Sequence, residues 1–156
     1  MTLYLNNDSV EGPQRDYILV IEDSPSDVRL LKYCLDNQGF PGDIHVCNYG
    51  KAAIDFLFGN TRMYPRLILM DIRLPDINGL ELFRKLKSHP DLADTYMIIW
   101  TGQYSEVEAR QCEELDVVEY FEKPLDMGVL SNFASRLTYE WAKICNGQKF
   151  ELKSNR

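Results

Sequence analysis

Short apolar runs recur along the chain at 17–21 (YILVI), 44–47 (IHVC), 67–70 (LILM), 97–100 (MIIW) and 117–121 (VVEYF). Each is four or five residues long and lacks the strict alternation of a half-solvated strand, so strands buried on both faces are predicted. Between them the apolar positions recur every three to four residues, predicting helices over 25–37, 51–58, 80–88, 106–115 and 127–144. In the first helix Val28, Leu31, Cys34 and Leu35 share one face, and Ser24-Pro25 provides a cap followed by proline at the first helical position. In the third, Leu80, Phe83 and Leu86 form a stripe with Arg84, Lys85 and Lys87 facing away. The fourth has few large apolar residues and acids at Glu106, Glu108, Glu113 and Glu114, which makes it the least firmly packed helix predicted. In the last, the stripe of Leu130, Phe133 and Leu137 runs on through Trp141 and Ile144.

Five strands alternating with five helices imply an α/β fold, a doubly wound five-stranded parallel sheet with helices on both faces, because parallel neighbours need right-handed crossovers. With a flavodoxin-like strand order 2-1-3-4-5, the first and third strands are neighbours, and the working site lies at the carboxyl ends of the strands. Residues 1–16, polar and broken by Gly12-Pro13, read as a flexible arm; the domain spans 17–145, and 146–156 form a polar tail.

The residues at the strand ends turn this architecture into a chemical expectation. The first strand ends in Glu22-Asp23, the third in Asp71, the fourth in Thr101, and the fifth leads into Lys123-Pro124. Ser24-Pro25 suffices to start the helix, so the two adjacent acids are free for another task. Carboxylates on neighbouring strands about 5 Å apart repel by about 3 kcal/mol at an effective dielectric near 20. Lys123 and a bound divalent cation are the candidates to offset this; Mg²⁺ suits such a site because it accepts a few carboxylates plus waters and can then coordinate phosphate oxygens, which makes this a place where a phosphoryl group could be held.

Composition narrows the partners. The chain has 156 residues, enough for one domain, with 45% hydrophobic residues and a net charge of -7. That charge, with a pI near 4.8, argues against a nucleic-acid or anionic-lipid footprint. Cys34, Cys47, Cys112 and Cys145 form no CxxC pair, and His45 and His89 stand at ligand spacing from none of them, so reduced thiols are expected rather than zinc or disulfides. With neither a membrane-length apolar run nor a signal-like start, a cytoplasmic location is expected.

The pieces VIEDS, LILMDIRLPDINGLEL, IIWTG and YFEKP resemble the receiver domain of two-component response regulators over about residues 17–137. The resemblance implies that Asp71 is the phosphoacceptor, fed by a sensor histidine kinase. It also implies that Glu22, Asp23, Asp71 and the Arg73 backbone carbonyl hold Mg²⁺, and that Thr101 and Lys123 contact phosphoryl oxygens. Tyr120 matches the aromatic that rotates inward as Thr101 is drawn to the phosphoryl group, and Lys123-Pro124 matches the family's cis peptide. Arg73 and Gln103 occupy positions that tune hydrolysis, with Arg73 expected to shield the phosphoryl group and slow its loss.

With only a short tail after the last helix, output by contact with a downstream protein is expected, either as a phosphorelay intermediate or as a kinase modulator. The long last helix, with Tyr139, Trp141 and Ile144, suggests a homodimer through that helix and the adjoining surface. The segments DSPSD and SHPDL are also similar to small regulators that serve phytochrome-type kinases. Two alternatives compete. One is a Mg²⁺-dependent aspartyl-phosphate hydrolase of the haloacid dehalogenase class, whose DxD motif is broken here by Arg73. The other is a degenerate receiver that only binds proteins, although no member of the acceptor set is missing.

Overall fold

The computed structural model describes residues 16–59, 63–117, 119–124 and 126–147. In chain order the elements are β1 (Tyr17–Ile21), α1 (Pro25–Asn37), β2 (Asp43–Cys47), α2 (Gly50–Phe58), β3 (Leu67–Asp71), α3 (Gly79–Lys87), a 3₁₀ turn (Pro90–Leu92), β4 (Tyr96–Thr101), α4 (Glu106–Glu114), β5 (Glu119–Glu122) and α5 (Met127–Cys145). The strands form one parallel sheet in the order β2-β1-β3-β4-β5, as the alternation of elements predicts. The arm and tail expected at 1–16 and 146–156 lie outside the described residues, apart from Asp16, Asn146 and Gly147. Asp16 already belongs to the fold: its carbonyl accepts the Asp43 N–H at 3.1 Å and its carboxylate pairs with Arg66 at 3.0 Å.

The pleat sorts each strand between two cores. Ile18, Val20, Leu67, Leu69, Ile98 and Trp100 pack with Leu31, Leu35, Phe133 and Leu137 under α1 and α5. Leu19, Ile21, Ile68, Met70, Met97 and Ile99 point the other way, against Leu57, Phe83, Leu86 and Cys112 of α2, α3 and α4. Cys112 is the one fully buried residue of α4, in keeping with its predicted loose packing.

Three expectations are corrected. The last ladder covers Glu119–Glu122 instead of starting at Val117, because Asp116 takes a left-handed turn (φ 59°) and the Val117 N–H closes onto Cys112 O at 3.1 Å. Val118 lies outside the described residues. The Lys123–Pro124 peptide is trans, since no described peptide is cis; trans is the isomer an X–Pro bond favours by about 0.5–1 kcal/mol. The third correction concerns α5. Trp141 and Ile144 are not a free surface but are buried, Trp141 packing edge-on against Phe40 with ring centroids 4.8 Å apart. Gly42 makes room for this, because a Cβ there would lie 2.7 Å from the indole. The helix outruns the strands, yet the α1–β2 connection supplies the cover. Tyr139, 73% exposed, is the large apolar side chain left outside on this extension.

Candidate functional site

Register brings the strand-end acids together. Ile21 lies level with Met70, so Glu22 and Asp71 leave the sheet side by side, and Asp71 in turn is level with Trp100 on β4. Backbone bonds carry the ladder past the strands and fix where these residues emerge: Glu22 N–H to Cys47 O at 3.0 Å, Ile72 N–H to Trp100 O at 3.1 Å, and Lys123 N–H to Thr101 O at 2.7 Å. The loop after Asp71 is closed by a bridge between Arg73 and Asn78 and by the Gly79 N–H on Ile72 O at 2.9 Å. Gly79 is needed here, because a Cβ would meet the Ile72 backbone at 2.5 Å.

At the centre stands the Lys123 ammonium, 2.9 Å from Glu22 Oε1, 2.9 Å from Asp71 Oδ2 and 3.0 Å from Asp27 Oδ2. The other Asp71 oxygen accepts the Arg73 N–H at 2.8 Å. Glu22 is fully buried and bonded at both oxygens: Oε1 also accepts the Ser24 N–H, and Oε2 accepts the Trp100 indole N–H at 3.1 Å. Burial pushes its carboxyl up to about 7, against the lowering by the Lys123 hydrogen bond. Burial alone would lower the Lys123 ammonium, but its bonds to Glu22, Asp71 and Asp27 outweigh that and hold it above the ordinary lysine value.

Glu22, Asp23 and Asp71 each place one carboxylate oxygen so that all three lie within 4.8 Å of one another. Hard oxygen donors at that spacing fit a divalent cation such as Mg²⁺ or Mn²⁺. Asp23 is exposed, so a cation here would keep access to solvent.

Thr101, Tyr120, Arg73 and Gln103 make their contacts toward α4 and the loop that leads into it. The Thr101 hydroxyl is fully buried and turned onto the next loop, donating to Gln103 O at 2.9 Å and accepting the Gln103 N–H at 3.2 Å. Gln103 therefore meets Thr101 through its backbone, while the residue itself is exposed. The Tyr120 ring lies inside, 5% exposed. Its hydroxyl accepts the Ser105 N–H at 3.1 Å and donates to Glu108 Oε1 at 3.2 Å. Arg73 does not cover Asp71 but reaches across to the same Glu108 Oε1 at 3.0 Å.

Asp27, Trp100 and Glu108 join the site without having been singled out in the sequence. Asp27 sits in the first turn of α1, aimed at the strand ends. Trp100 is a polar-tipped aromatic whose buried N–H requires a partner. Glu108 follows Ser105 at the S-x-x-E spacing of a capping box.

This arrangement agrees with what the chain resembles. Residues 18–134 match the model of the response regulator receiver domain. The chain belongs to that family. It is 29% identical over 139 residues to the probable methanogenesis regulatory protein FilR2 of Methanothrix harundinacea, covering 87% of this chain and 90% of that protein. To response regulator Rcp1 of Synechocystis it is 29% identical over 129 residues, covering 80% and 87%. The crystal structure of the Mn²⁺-bound form of Rcp1 superposes with a TM-score of 0.72, covering 81% of this chain and 94% of that one at 28% identity. The phosphorylated cyanobacterial phytochrome response regulator RcpA shares the fold, with a TM-score of 0.73 at 24% identity over 82% and 94% of the two chains. The chain is thus a phosphorylation-driven response regulator of two-component signalling.

Proposed function

We propose that Asp71 accepts a phosphoryl group from a phosphohistidine of a sensor histidine kinase and that the new charge rearranges the start of α4. The observation that carries this is the Lys123 ammonium, 2.9 Å from Asp71 Oδ2 and fixed there by two further carboxylates. An Asp71 oxygen forms a bond to phosphorus while the P–N bond breaks and returns its electron pair to the imidazole. Lys123 lies where charge gathers on the transferring oxygens, and a cation fixed in advance is worth more there than one recruited from water. Mg²⁺ held by Glu22, Asp23, Asp71 and the Arg73 carbonyl would offset the rest of that charge. The acidic cluster and the Mn²⁺-bound form of Rcp1 support this assignment.

After transfer, the Thr101 hydroxyl exchanges its bonds with the Gln103 backbone for a phosphoryl oxygen, which loosens the loop leading into α4. Arg73 and Gln103 set how easily water reaches the phosphorus. The partners are then the kinase and a downstream protein that reads α4, β5 and α5, in the cytoplasm. Among the described residues no helix is long and apolar enough to cross a membrane. The similarity of the DSPSD and SHPDL segments to small phytochrome-paired regulators favours a kinase of the phytochrome type.

The test is incubation with acetyl phosphate and Mg²⁺ followed by intact-mass analysis. A single phosphoryl adduct, absent from Asp71→Asn and from samples in EDTA, is expected. Phosphate release without an accumulating adduct would favour the hydrolase, and no adduct at all a protein-binding module.

A further inference from the structure

One oxygen of Glu108 serves two groups from different parts of the chain. Its Oε1 takes the Arg73 guanidinium at 3.0 Å from the loop after β3, and the Tyr120 hydroxyl at 3.2 Å from β5. Ser105 Oγ caps α4 by accepting the Glu108 N–H at 3.4 Å. In an ordinary capping box the glutamate would close back onto the Ser105 N–H. Here the Tyr120 oxygen takes that N–H at 3.1 Å, and the Glu108 carboxylate is left to hold the tyrosine and Arg73. The two ends of the Arg73 pair are unequal: the glutamate side chain is 18% exposed and also bonded to Tyr120, whereas the arginine side chain is 53% exposed. Arg73 stands two positions after Asp71, whose Oδ1 accepts the Arg73 N–H.

We infer that Glu108 is a positioning residue that holds Arg73 away from the phosphorylation site, so that a phosphoryl group on Asp71 and the Glu108 carboxylate compete for one guanidinium. This rests on Asp71 being the acceptor. A phosphoryl group brings two negative charges and bidentate acceptors that suit an arginine, so it wins the guanidinium from a single carboxylate. Arg73 then covers the phosphorus against water. Glu108, stripped of its cation, adds uncompensated charge to the α4 face beside the exposed Val107. The occupancy of Asp71 is thus written onto α4 through Arg73 as well as through Thr101.

Glu108→Gln separates the two jobs of the side chain, because a carboxamide oxygen still accepts from Tyr120 but no longer holds a cation. The probe is beryllofluoride with saturating Mg²⁺, titrated calorimetrically into the wild type, Glu108→Gln, Arg73→Ala and the double variant. Removing a half-exposed ion pair that must break on binding should tighten beryllofluoride about two- to five-fold, and acetyl-phosphate-derived phosphoprotein should decay more slowly by a similar factor. In the Arg73→Ala background the same glutamine substitution should change neither quantity. A merely structural Glu108 would weaken binding in both backgrounds, and that outcome, or equal effects in both, overturns the inference while leaving Asp71 as acceptor intact. If the wild type takes up neither beryllofluoride nor phosphoryl groups, the acceptor assignment itself fails and the inference with it.

Discussion

At the scale of single residues, the site is organised by how each carboxylate is satisfied. Glu22 is a buried acid with no exposed surface, and it persists because Lys123, the Ser24 N–H and the Trp100 indole share its two oxygens. Trp100→Phe keeps the aromatic core but leaves Oε2 of a buried carboxylate without its donor. A loss of about 1–3 kcal/mol is expected, measured by urea unfolding; a change below a few tenths would show that the indole bond is dispensable. Asp23 presents the opposite case. It is exposed, so Asp23→Asn should leave the fold intact by circular dichroism while abolishing Mg²⁺-dependent labelling by acetyl phosphate. The sequence announces Glu22, Asp23, Asp71 and Lys123 because polar residues that end apolar runs are conspicuous. It is silent on Trp100 and Asp27, whose roles depend on which partner lies across the sheet. Arg73 is legible as an unusual cation two residues after Asp71, but its partner Glu108 is 35 positions further on, so its direction is not.

At the scale of elements, the strands with continuous apolar runs were readable from their composition, since β1, β3 and β4 are buried throughout or nearly so. The last strand starts two residues later than its apolar run, because composition does not reveal the left-handed turn at Asp116. The apolar stripe of α5 was also visible, but a stripe does not say what covers it. Trp141 and Ile144, suggestive of a second chain, are covered by the protein's own Phe40 and its neighbours. The two kinds of aromatic on this helix therefore predict opposite outcomes. Trp141→Ala should cost about 3–5 kcal/mol in thermal or urea unfolding, as large-to-small changes in a core do. Tyr139→Ala, 73% exposed, should stay within about 0.5 kcal/mol. Comparable losses from both would mean that Tyr139 is covered in solution, for instance by another copy of the chain.

At the scale of the whole molecule, the sheet makes a stability problem at one edge and leaves a ligand to relieve it. Glu22, Asp23, Asp27 and Asp71 gather around the single ammonium of Lys123, and three of the four touch it. A cation that binds this cluster in the folded chain and finds no such cluster in the unfolded one must raise the melting temperature by mass action. At a hundredfold excess over its dissociation constant the gain is about 2.7 kcal/mol. For a domain of this size each kcal/mol corresponds to about 2–4 °C. Mg²⁺ should therefore raise the melting temperature by about 5–10 °C near saturation, and EDTA should reverse it. Asp23→Asn supplies the control, because it removes one of the repelling charges together with one of the proposed ligands. The metal-free variant should melt slightly above the metal-free wild type, yet respond to Mg²⁺ hardly at all. A variant that still gained the full increment would place the cation elsewhere on the acidic surface, and the strand-end cluster would then be a store of unrelieved charge rather than the seat of the metal.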